Sequence, residues 1–198
     1  MNKATLTRRG IMLGGLALLT SGCTSMGQSD QPLSFASPAQ AGVDPAFRRT
    51  RVRYEYPGES PGTIIVNTSE RYLYFLEEDG WATRYGVGVG EEGLTLKGKA
   101  TIGRKAEWPS WTPTANMMRR KPHLVQYAGG VSGGLHNPLG ARALYLYRNG
   151  RDTMFRLHGT NEPWTIGSAV SSGCIRLTND DITHLYERAE VKSTVVVI

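Results

Sequence analysis

The pattern of apolar and polar positions predicts a chain built mainly of short β-strands. Residues 63–67 and 71–76 are β-branched and aromatic runs separated by a polar turn, which is typical of a hairpin. Residues 81–89 and 143–147 have a similar composition. The last of these runs is followed by Asn149-Gly150, a dipeptide preferred in two-residue hairpin turns, so we expect a return strand soon after it.

One helix is predicted near the C-terminus, followed by a buried strand. Thr178 and Asn179 can cap this helix, and two aspartates occupy its first turn, where the helix dipole favours negative charge. Apolar residues then recur with helical spacing, and residues 194–198 form a continuous β-branched run. Because turn-forming residues dominate 103–142, the chain is predicted to be mainly β, with long loops and a C-terminal helix before the last strand.

Residues 1–23 have the composition of an export signal. Basic residues precede the apolar run 11–19, which is too short to span a bilayer comfortably and ends in small residues. The Arg8-Arg9 pair resembles a twin-arginine signal, and residues 19–23 resemble a lipobox, which would place a lipid on Cys23. We therefore expect an exported protein of the periplasm or cell envelope, anchored to a membrane through that lipid. The alternative is that Cys23 belongs to a discarded signal peptide.

The remainder divides into a tether and one domain. Residues 24–60 begin with a stretch rich in Ser, Gln, Pro and Ala, which predicts a flexible tether and a lead-in, and residues 61–198 form the predicted domain. With 198 residues, 39% hydrophobic and 20% charged, the chain has the composition of a globular protein. Two cysteines exclude a disulfide framework and a cysteine-based zinc site. Since no His-Glu-x-x-His pair is present either, we expect no metal and no cofactor.

Two further sequence features, a glycine motif and two basic clusters, are typical of ligand-binding sites, but the residues around them argue against such sites. Residues 88–93 spell Gly-x-Gly-x-x-Gly, but a dinucleotide site needs a helix to open from that turn, and no helical pattern follows. Lys and Arg outnumber Asp and Glu by 23 to 17, yet the basic clusters at 48–53 and 119–121 are not interleaved with stacking aromatics. We therefore expect neither a dinucleotide nor a nucleic acid as a partner.

The candidate chemistry lies in the last third of the chain. Cys174 follows Ser171-Ser172-Gly173 in a predicted loop, and His158 stands at the end of the predicted return strand. A nearby imidazole raises the reactive fraction of a thiol, and successive N–H groups in a glycine-containing turn can stabilise an oxyanion. From the residues alone, Cys174 is either such a nucleophile or a small buried apolar residue.

These segments resemble a known family. His158-Gly159-Thr160 followed by Ser171-x-Gly173-Cys174-Ile175-Arg176-Leu177 is similar to the signature of the L,D-transpeptidase catalytic domain (YkuD type, as in ErfK/YbiS-like proteins). Residues 61–66, 108–114 and 137–144 resemble further segments of that family, so the resemblance covers residues 61–198. Many members have a second histidine where this chain has Ser172.

The resemblance implies a β-sandwich fold and cysteine-dependent acyl transfer on peptidoglycan stem peptides. Carried over by position, Cys174 is the nucleophile, His158 is the base, and the Gly159 carbonyl orients the imidazole. Backbone N–H groups of Ser172, Gly173 and Cys174 would hold the oxyanion. The thiolate attacks the third residue of a donor tetrapeptide and expels D-alanine. The thioester then passes to an amine of another stem, or of an envelope protein.

Other residues are assigned to substrate binding. Arg176 suits a substrate carboxylate, the alternative being an ion pair that shapes the cysteine loop. Ser171, His136 and Trp111 are expected to border the substrate groove, whereas His184 is expected to face solvent. The alternative functions are an L,D-carboxypeptidase or cross-link hydrolase with water as acceptor, a non-catalytic envelope-binding lipoprotein, and a redox-sensing thiol.

Overall fold

The computed structural model describes residues 33–34, 42–91 and 96–198, and over them the predicted mainly β architecture is confirmed. The strands are β1 (Leu33–Ser34), β2 (Thr50–Arg53), β3 (Ile64–Asn67), β4 (Tyr72–Leu76), β5 (Trp81–Gly86), β6 (Val89–Gly90), β7 (Gly98–Glu107), β8 (Arg142–Arg148), β9 (Arg151–His158), β10 (Ala169–Ser171), β11 (Ile175–Arg176) and β12 (Thr194–Val197). The helices are α1 (Ala115–Arg120) and α2 (Asn179–Arg188), with short 3-10 turns at Pro45–Phe47, Glu78–Gly80, Pro122–Tyr127 and Pro163–Thr165.

The predicted signal segment 1–23, with Cys23, lies outside the described residues, as does most of the predicted tether. Among the helices that the structure does describe, none is long and apolar enough to cross a membrane. The expectations about export and lipid attachment therefore stay predictions.

Ten strands are hydrogen-bonded in the order β1-β2-β5-β4-β3-β12-β7-β8-β9-β11, while β6 and β10 pair separately. The C-terminal strand β12 lies in the middle of the large sheet, parallel to β3 and antiparallel to β7. Val195 and Val197 enter one core cluster, and Val196 enters a second. Both faces of β12 are therefore buried, which explains its continuous β-branched sequence and confirms the predicted buried strand.

The larger core cluster draws side chains from both halves of this strand order, in agreement with the predicted sandwich. The β3–β4 hairpin contributes alternate residues, with Ile64 opposite Phe75 and Val66 opposite Leu73. Alternate residues enter because successive side chains of a strand point to opposite faces. Residues of β8, β9, β11 and α2 belong to the same cluster.

The predicted C-terminal helix is present as α2, which packs on β8 and β9. The Thr178 hydroxyl accepts a hydrogen bond from the Asp181 N–H at 3.1 Å and so caps the first turn. Ile182 and Leu185 are fully buried in the larger cluster. Since β9 ends in His158, this packing holds the strand that carries one of the two candidate catalytic side chains.

The lead-in segment contains a strand that the sequence pattern did not predict. Strand β2 pairs antiparallel with β5, and Arg49, just before β2, forms an ion pair with Asp181 at 2.9 Å. Arg51 forms another with Glu77 at 2.8 Å. Two of the four arginines in the basic cluster at 48–53 are thus paired with acidic groups of the domain itself.

Candidate active site

Two neighbouring strands bring the predicted catalytic residues to one cavity. Strand β11 lies parallel to β9, with Ile175 opposite Leu157 and Arg176 opposite His158. Cys174 immediately precedes β11, and its side chain lines a cavity of about 550 Å³ together with His158. Pairing of β9 with β11 therefore places the imidazole at the end of one strand and the thiol at the start of its neighbour.

His158 is buried, and its ring is oriented by the main chain. The ring Nδ1 lies 2.5 Å from the carbonyl oxygen of Gly159. Because a carbonyl only accepts hydrogen bonds, Nδ1 carries the proton and Nε2 keeps its lone pair. Burial lowers the pKa of His158 to about 4, against the opposite effect of this hydrogen bond. At neutral pH the ring is therefore uncharged and able to accept a proton.

The Cys174 thiol is likewise held in its uncharged form. Burial raises the pKa of the thiol, while the backbone N–H and then the guanidinium of Arg156 act in the opposite direction. The thiol donates a weak hydrogen bond to the Met154 carbonyl at 3.9 Å. Met154 has a φ of +65° and lies where the register of β9 against β8 shifts. The thiol and the imidazole that line this cavity are thus both uncharged at neutral pH.

Ser171 organises the loop that presents Cys174. Its buried hydroxyl donates a hydrogen bond to the Cys174 carbonyl at 2.6 Å and accepts one from the Gly173 N–H at 3.1 Å. Gly173 has a φ of +127°, a conformation that favours glycine. One member of the predicted oxyanion set, the Gly173 N–H, is therefore already hydrogen-bonded here. The N–H groups of Ser172 and Cys174 remain as candidates.

Arg176 is paired with a carboxylate of the protein. Its Nη1 lies 2.9 Å from Oε2 of Glu162, in the loop after β9. The ion pair considered as the alternative role for Arg176 is therefore present, and it joins that loop to the strand after Cys174. Binding of a substrate carboxylate by Arg176 stays a prediction, since such a ligand would compete with Glu162.

The site extends beyond the cavity of Cys174. A second cavity of about 790 Å³ shares Trp111, Ser172 and Arg176 with the first, so the two meet at the cysteine loop. His136 lines the second cavity, and Ser171 lines the first. The three residues expected to border a substrate groove therefore each line at least one of these cavities, and their part in binding substrate stays a prediction.

Two arginines of the site were missed by the sequence analysis. Arg156 and Arg120 both line the cavity of Cys174. Arg156 stands two residues before His158 on a strand, and that spacing was a usable signal, because it places two side chains on one face. Arg120 lies on α1, inside a segment that was predicted to consist of turns, and nothing in the local pattern indicated a role for it.

The expectation that His184 faces solvent is wrong. Its Nδ1 lies 2.8 Å from the hydroxyl of Tyr85, a buried residue of β5. Burial lowers the pKa of His184 to about 4, with the positive charges of Arg49 and Arg188 acting in the same direction. The face of α2 that contacts the sheet therefore includes His184 as well as the apolar stripe, because the Tyr85 hydroxyl on the sheet is a polar partner for the imidazole ring.

The described part of the chain does not test the expectation about a dinucleotide. Gly90 ends the short strand β6, Gly93 lies outside the described residues, and β7 begins at Gly98. Within 42–91 and 96–198, no group of three or more His, Cys, Asp or Glu side chains is arranged to hold a metal ion.

Comparison with known proteins covers the region that contains this site. The family model of the L,D-transpeptidase catalytic domain (YkuD) matches residues 61–198. The chain belongs to this family. The probable L,D-transpeptidase ErfK/SrfK of Escherichia coli is 34% identical over 188 residues, which cover 88% of this chain and 58% of that protein. A putative L,D-transpeptidase of Fuscovulum blasticum is 31% identical over 198 residues, with 98% of each chain covered.

A solved structure of an L,D-transpeptidase shares the fold. An Enterococcus faecium L,D-transpeptidase is 14% identical, with a TM-score of 0.50 over 72% of this chain and 52% of that one. A Brucella melitensis protein named as a probable carnitine operon oxidoreductase is 46% identical, with a TM-score of 0.53 over 79% of this chain and 96% of that one. The chain spans 58% of the length of the Escherichia coli relative ErfK/SrfK and 53% of the length of YcfS from the same organism.

Proposed function

We propose that this protein is a cysteine-dependent L,D-transpeptidase that acts on peptidoglycan stem peptides. The observation that carries the proposal is the shared cavity of Cys174 and His158, in which the ring is oriented by Gly159 and keeps Nε2 free to accept a proton. Membership of the L,D-transpeptidase family supports this reaction class. The second cavity supports a reaction between two peptides, because it meets the first at the cysteine loop.

In the first half of the reaction, the thiol becomes the nucleophile. Nε2 of His158 accepts the thiol proton as Sγ of Cys174 attacks the carbonyl carbon of the third residue of a donor tetrapeptide. The negative charge that develops on the carbonyl oxygen faces main-chain N–H groups of the loop, those of Ser172 and Cys174. The carbon–nitrogen bond to the terminal D-alanine then breaks. His158 returns the proton to that nitrogen, and D-alanine leaves.

In the second half of the reaction, the thioester is transferred. An amine of a second stem peptide, entering through the second cavity, attacks the thioester carbon while His158 removes a proton from the amine. The bond between carbon and Sγ breaks, and the proton held by His158 passes to the Cys174 thiolate, which becomes a thiol again. A new peptide cross-link forms and the enzyme regains its starting state. An envelope protein with an exposed amine is a further candidate acceptor, and water as acceptor would give a carboxypeptidase or hydrolase instead.

We also propose that the protein is exported and is lipid-anchored at Cys23. Support comes from the basic, apolar and small-residue order of residues 1–23 alone. An envelope location would place the active site next to peptidoglycan. Metabolic labelling of the full chain with a radioactive fatty acid, compared with a Cys23→Ser variant, tests the anchor, because loss of label is expected only in the variant.

The function is tested by mass spectrometry of the products formed from disaccharide-tetrapeptide fragments by the full chain. Loss of D-alanine together with cross-linked dimers is expected from the wild-type protein, and neither is expected from Cys174→Ala. Loss of D-alanine without dimers would assign the carboxypeptidase activity. A folded protein with an alkylatable thiol that forms neither product would contradict the proposal and favour the binding or redox alternatives.

A further inference from the structure

Three guanidinium groups line the cavity that contains Cys174. They belong to Arg120 on α1, Arg156 on β9 and Arg176 on β11. A guanidinium in a partly enclosed cavity attracts carboxylates and can bind them through two parallel hydrogen bonds. Which of the three is available to a ligand depends on what each one already binds.

Arg156 and Arg176 are both occupied by acidic side chains of the protein. The two terminal nitrogens of Arg156 lie 2.7 Å and 2.9 Å from the two carboxylate oxygens of Asp152, and its guanidinium stacks 4.3 Å from the centre of the Tyr145 ring. Arg176 pairs with Glu162 at 2.9 Å. The charge of each guanidinium is therefore already balanced by a carboxylate of the protein, with which a substrate carboxylate would compete.

Arg120 differs from both. Within residues 42–91 and 96–198 its side chain forms no hydrogen bond or ion pair, and it is exposed while lining the cavity of Cys174. Its neighbours on the chain do have partners: Arg119 donates to the Asn116 side chain, and Lys121 pairs with Glu91 at 3.1 Å. Of these three consecutive basic residues, Arg120 is therefore the one that presents a free guanidinium to the cavity of the thiol.

We propose that Arg120 binds a carboxylate of the donor stem peptide and thereby selects acidic donors. The inference rests on the proposed function, since a tetrapeptide attacked at its third residue ends in a free carboxylate one residue beyond the reacting carbonyl. One residue of extended chain spans at most about 3.6 Å, so this carboxylate lies in or beside the cavity of Cys174. A guanidinium without a competing partner recognises it with no ion pair to break.

A donor peptide offers carboxylates from two sources. One is the C-terminal carboxylate of D-alanine, and the other is the side chain of the third residue in any donor where that residue is acidic. Three donor peptides separate them: one with both groups free, one with the terminal carboxylate amidated, and one with the side-chain carboxylate amidated. The amidation that abolishes the effect of an Arg120 substitution identifies the group that Arg120 binds.

The first experiment compares kcat/KM of the full-length wild-type protein with that of Arg120→Gln, Arg120→Lys and the matched control Arg119→Gln. For the fully acidic donor, Arg120→Gln is expected to lower kcat/KM about tenfold or more, mainly through KM, because a hydrogen-bonded charge pair is lost. Arg120→Lys should retain part of the affinity. Arg119→Gln should stay within about twofold of wild type, as the control lies outside both cavities. Equal losses for the acidic and both amidated donors, or for the two glutamine variants, would overturn the inference.

A second readout needs no peptidoglycan fragment. In a Cys23→Ser background, alkylation of Cys174 by anionic iodoacetate and by neutral iodoacetamide is compared, and the ratio of the two rates cancels the thiolate fraction. Arg120→Gln is expected to lower this ratio about fivefold at low salt, and less at high salt. An unchanged ratio would overturn the role of Arg120. If the wild-type protein showed no turnover of any donor, the proposed function and its donor would fail together, whereas a turnover-competent wild type with an unaffected Arg120→Gln would remove the inference alone.

Discussion

Replacing Ser171 with alanine tests whether one buried hydroxyl sets the geometry of the cysteine loop. The hydroxyl donates to the Cys174 carbonyl at 2.6 Å and accepts from the Gly173 N–H at 3.1 Å, and the residue is 2% exposed. Alanine leaves two main-chain groups without this partner. Each such buried group costs about 1–3 kcal/mol, so the present loop conformation becomes less stable by about 2–6 kcal/mol.

We expect the loop to relax rather than the domain to unfold, because the core of the sheet does not depend on this hydroxyl. A displacement of the thiol by about 1 Å relative to its base lowers the rate of the chemical step about hundredfold. In Ser171→Ala, kcat for D-alanine release should therefore fall about hundredfold, while KM changes little. Release is followed with a coupled assay for free D-alanine, and folding by the thermal unfolding midpoint.

Ser193→Ala is the matched control, because its hydroxyl accepts a hydrogen bond from the Glu190 N–H at 3.1 Å in a turn outside both cavities. Its kcat should equal that of the wild-type protein. The reasoning is refuted if Ser171→Ala is folded and keeps kcat within about twofold of wild type. A gain in kcat would also refute it, since it would mean that the released Gly173 N–H improves stabilisation of the oxyanion.

Three further predictions concern stability. The pKa of His158 is lowered to about 4 in the folded protein. Below pH 6.5 the unfolded chain therefore binds a proton at this residue that the folded chain does not bind. Stability in urea should therefore fall by up to about 3 kcal/mol between pH 6.5 and pH 4 through this residue. Arg49→Ala should cost about 3–5 kcal/mol in urea unfolding, because it leaves the buried Asp181 carboxylate without this cation. Gly140→Ala should cost about 2–5 kcal/mol in thermal unfolding, because Gly140 has a φ of +62° and a Cβ there would collide with the Asn179 side chain.

Each of these predictions has a comparison that tests its cause. His158→Asn should lose the part of the pH dependence that this residue contributes and keep the part from His184, whose pKa is also lowered to about 4; a slope equal to that of the wild-type protein would contradict the account. Arg53→Ala, at an exposed position, should cost less than about 1 kcal/mol. Gly58→Ala has a φ of +82° but no neighbour within 4 Å, so it should cost only about 1–2 kcal/mol. If Gly58→Ala lowered stability as much as Gly140→Ala, the whole effect at Gly140 would be backbone strain, and the collision with the Asn179 side chain would contribute nothing.

The elements that depend on local pattern could be predicted from the sequence. The β3–β4 hairpin, α2 with its Thr178 cap, and the buried strand β12 follow from alternation, helical spacing and β-branched composition, and the structure has all three. Strand β2 was missed, because its sequence is too polar to indicate burial and its stability comes from pairing with β5 and from the ion pairs of Arg49.

The active site shows the same division. The residue types at Cys174 and His158, and the glycine that a φ of +127° requires at Gly173, are determined by the sequence and indicate cysteine chemistry. Which charges are free to meet a substrate is decided only by the tertiary structure. Arg176 is paired with Glu162 while Arg120 is left open to the cavity, because ion pairing depends on distances between segments far apart in the chain. The residue types alone do not determine those distances.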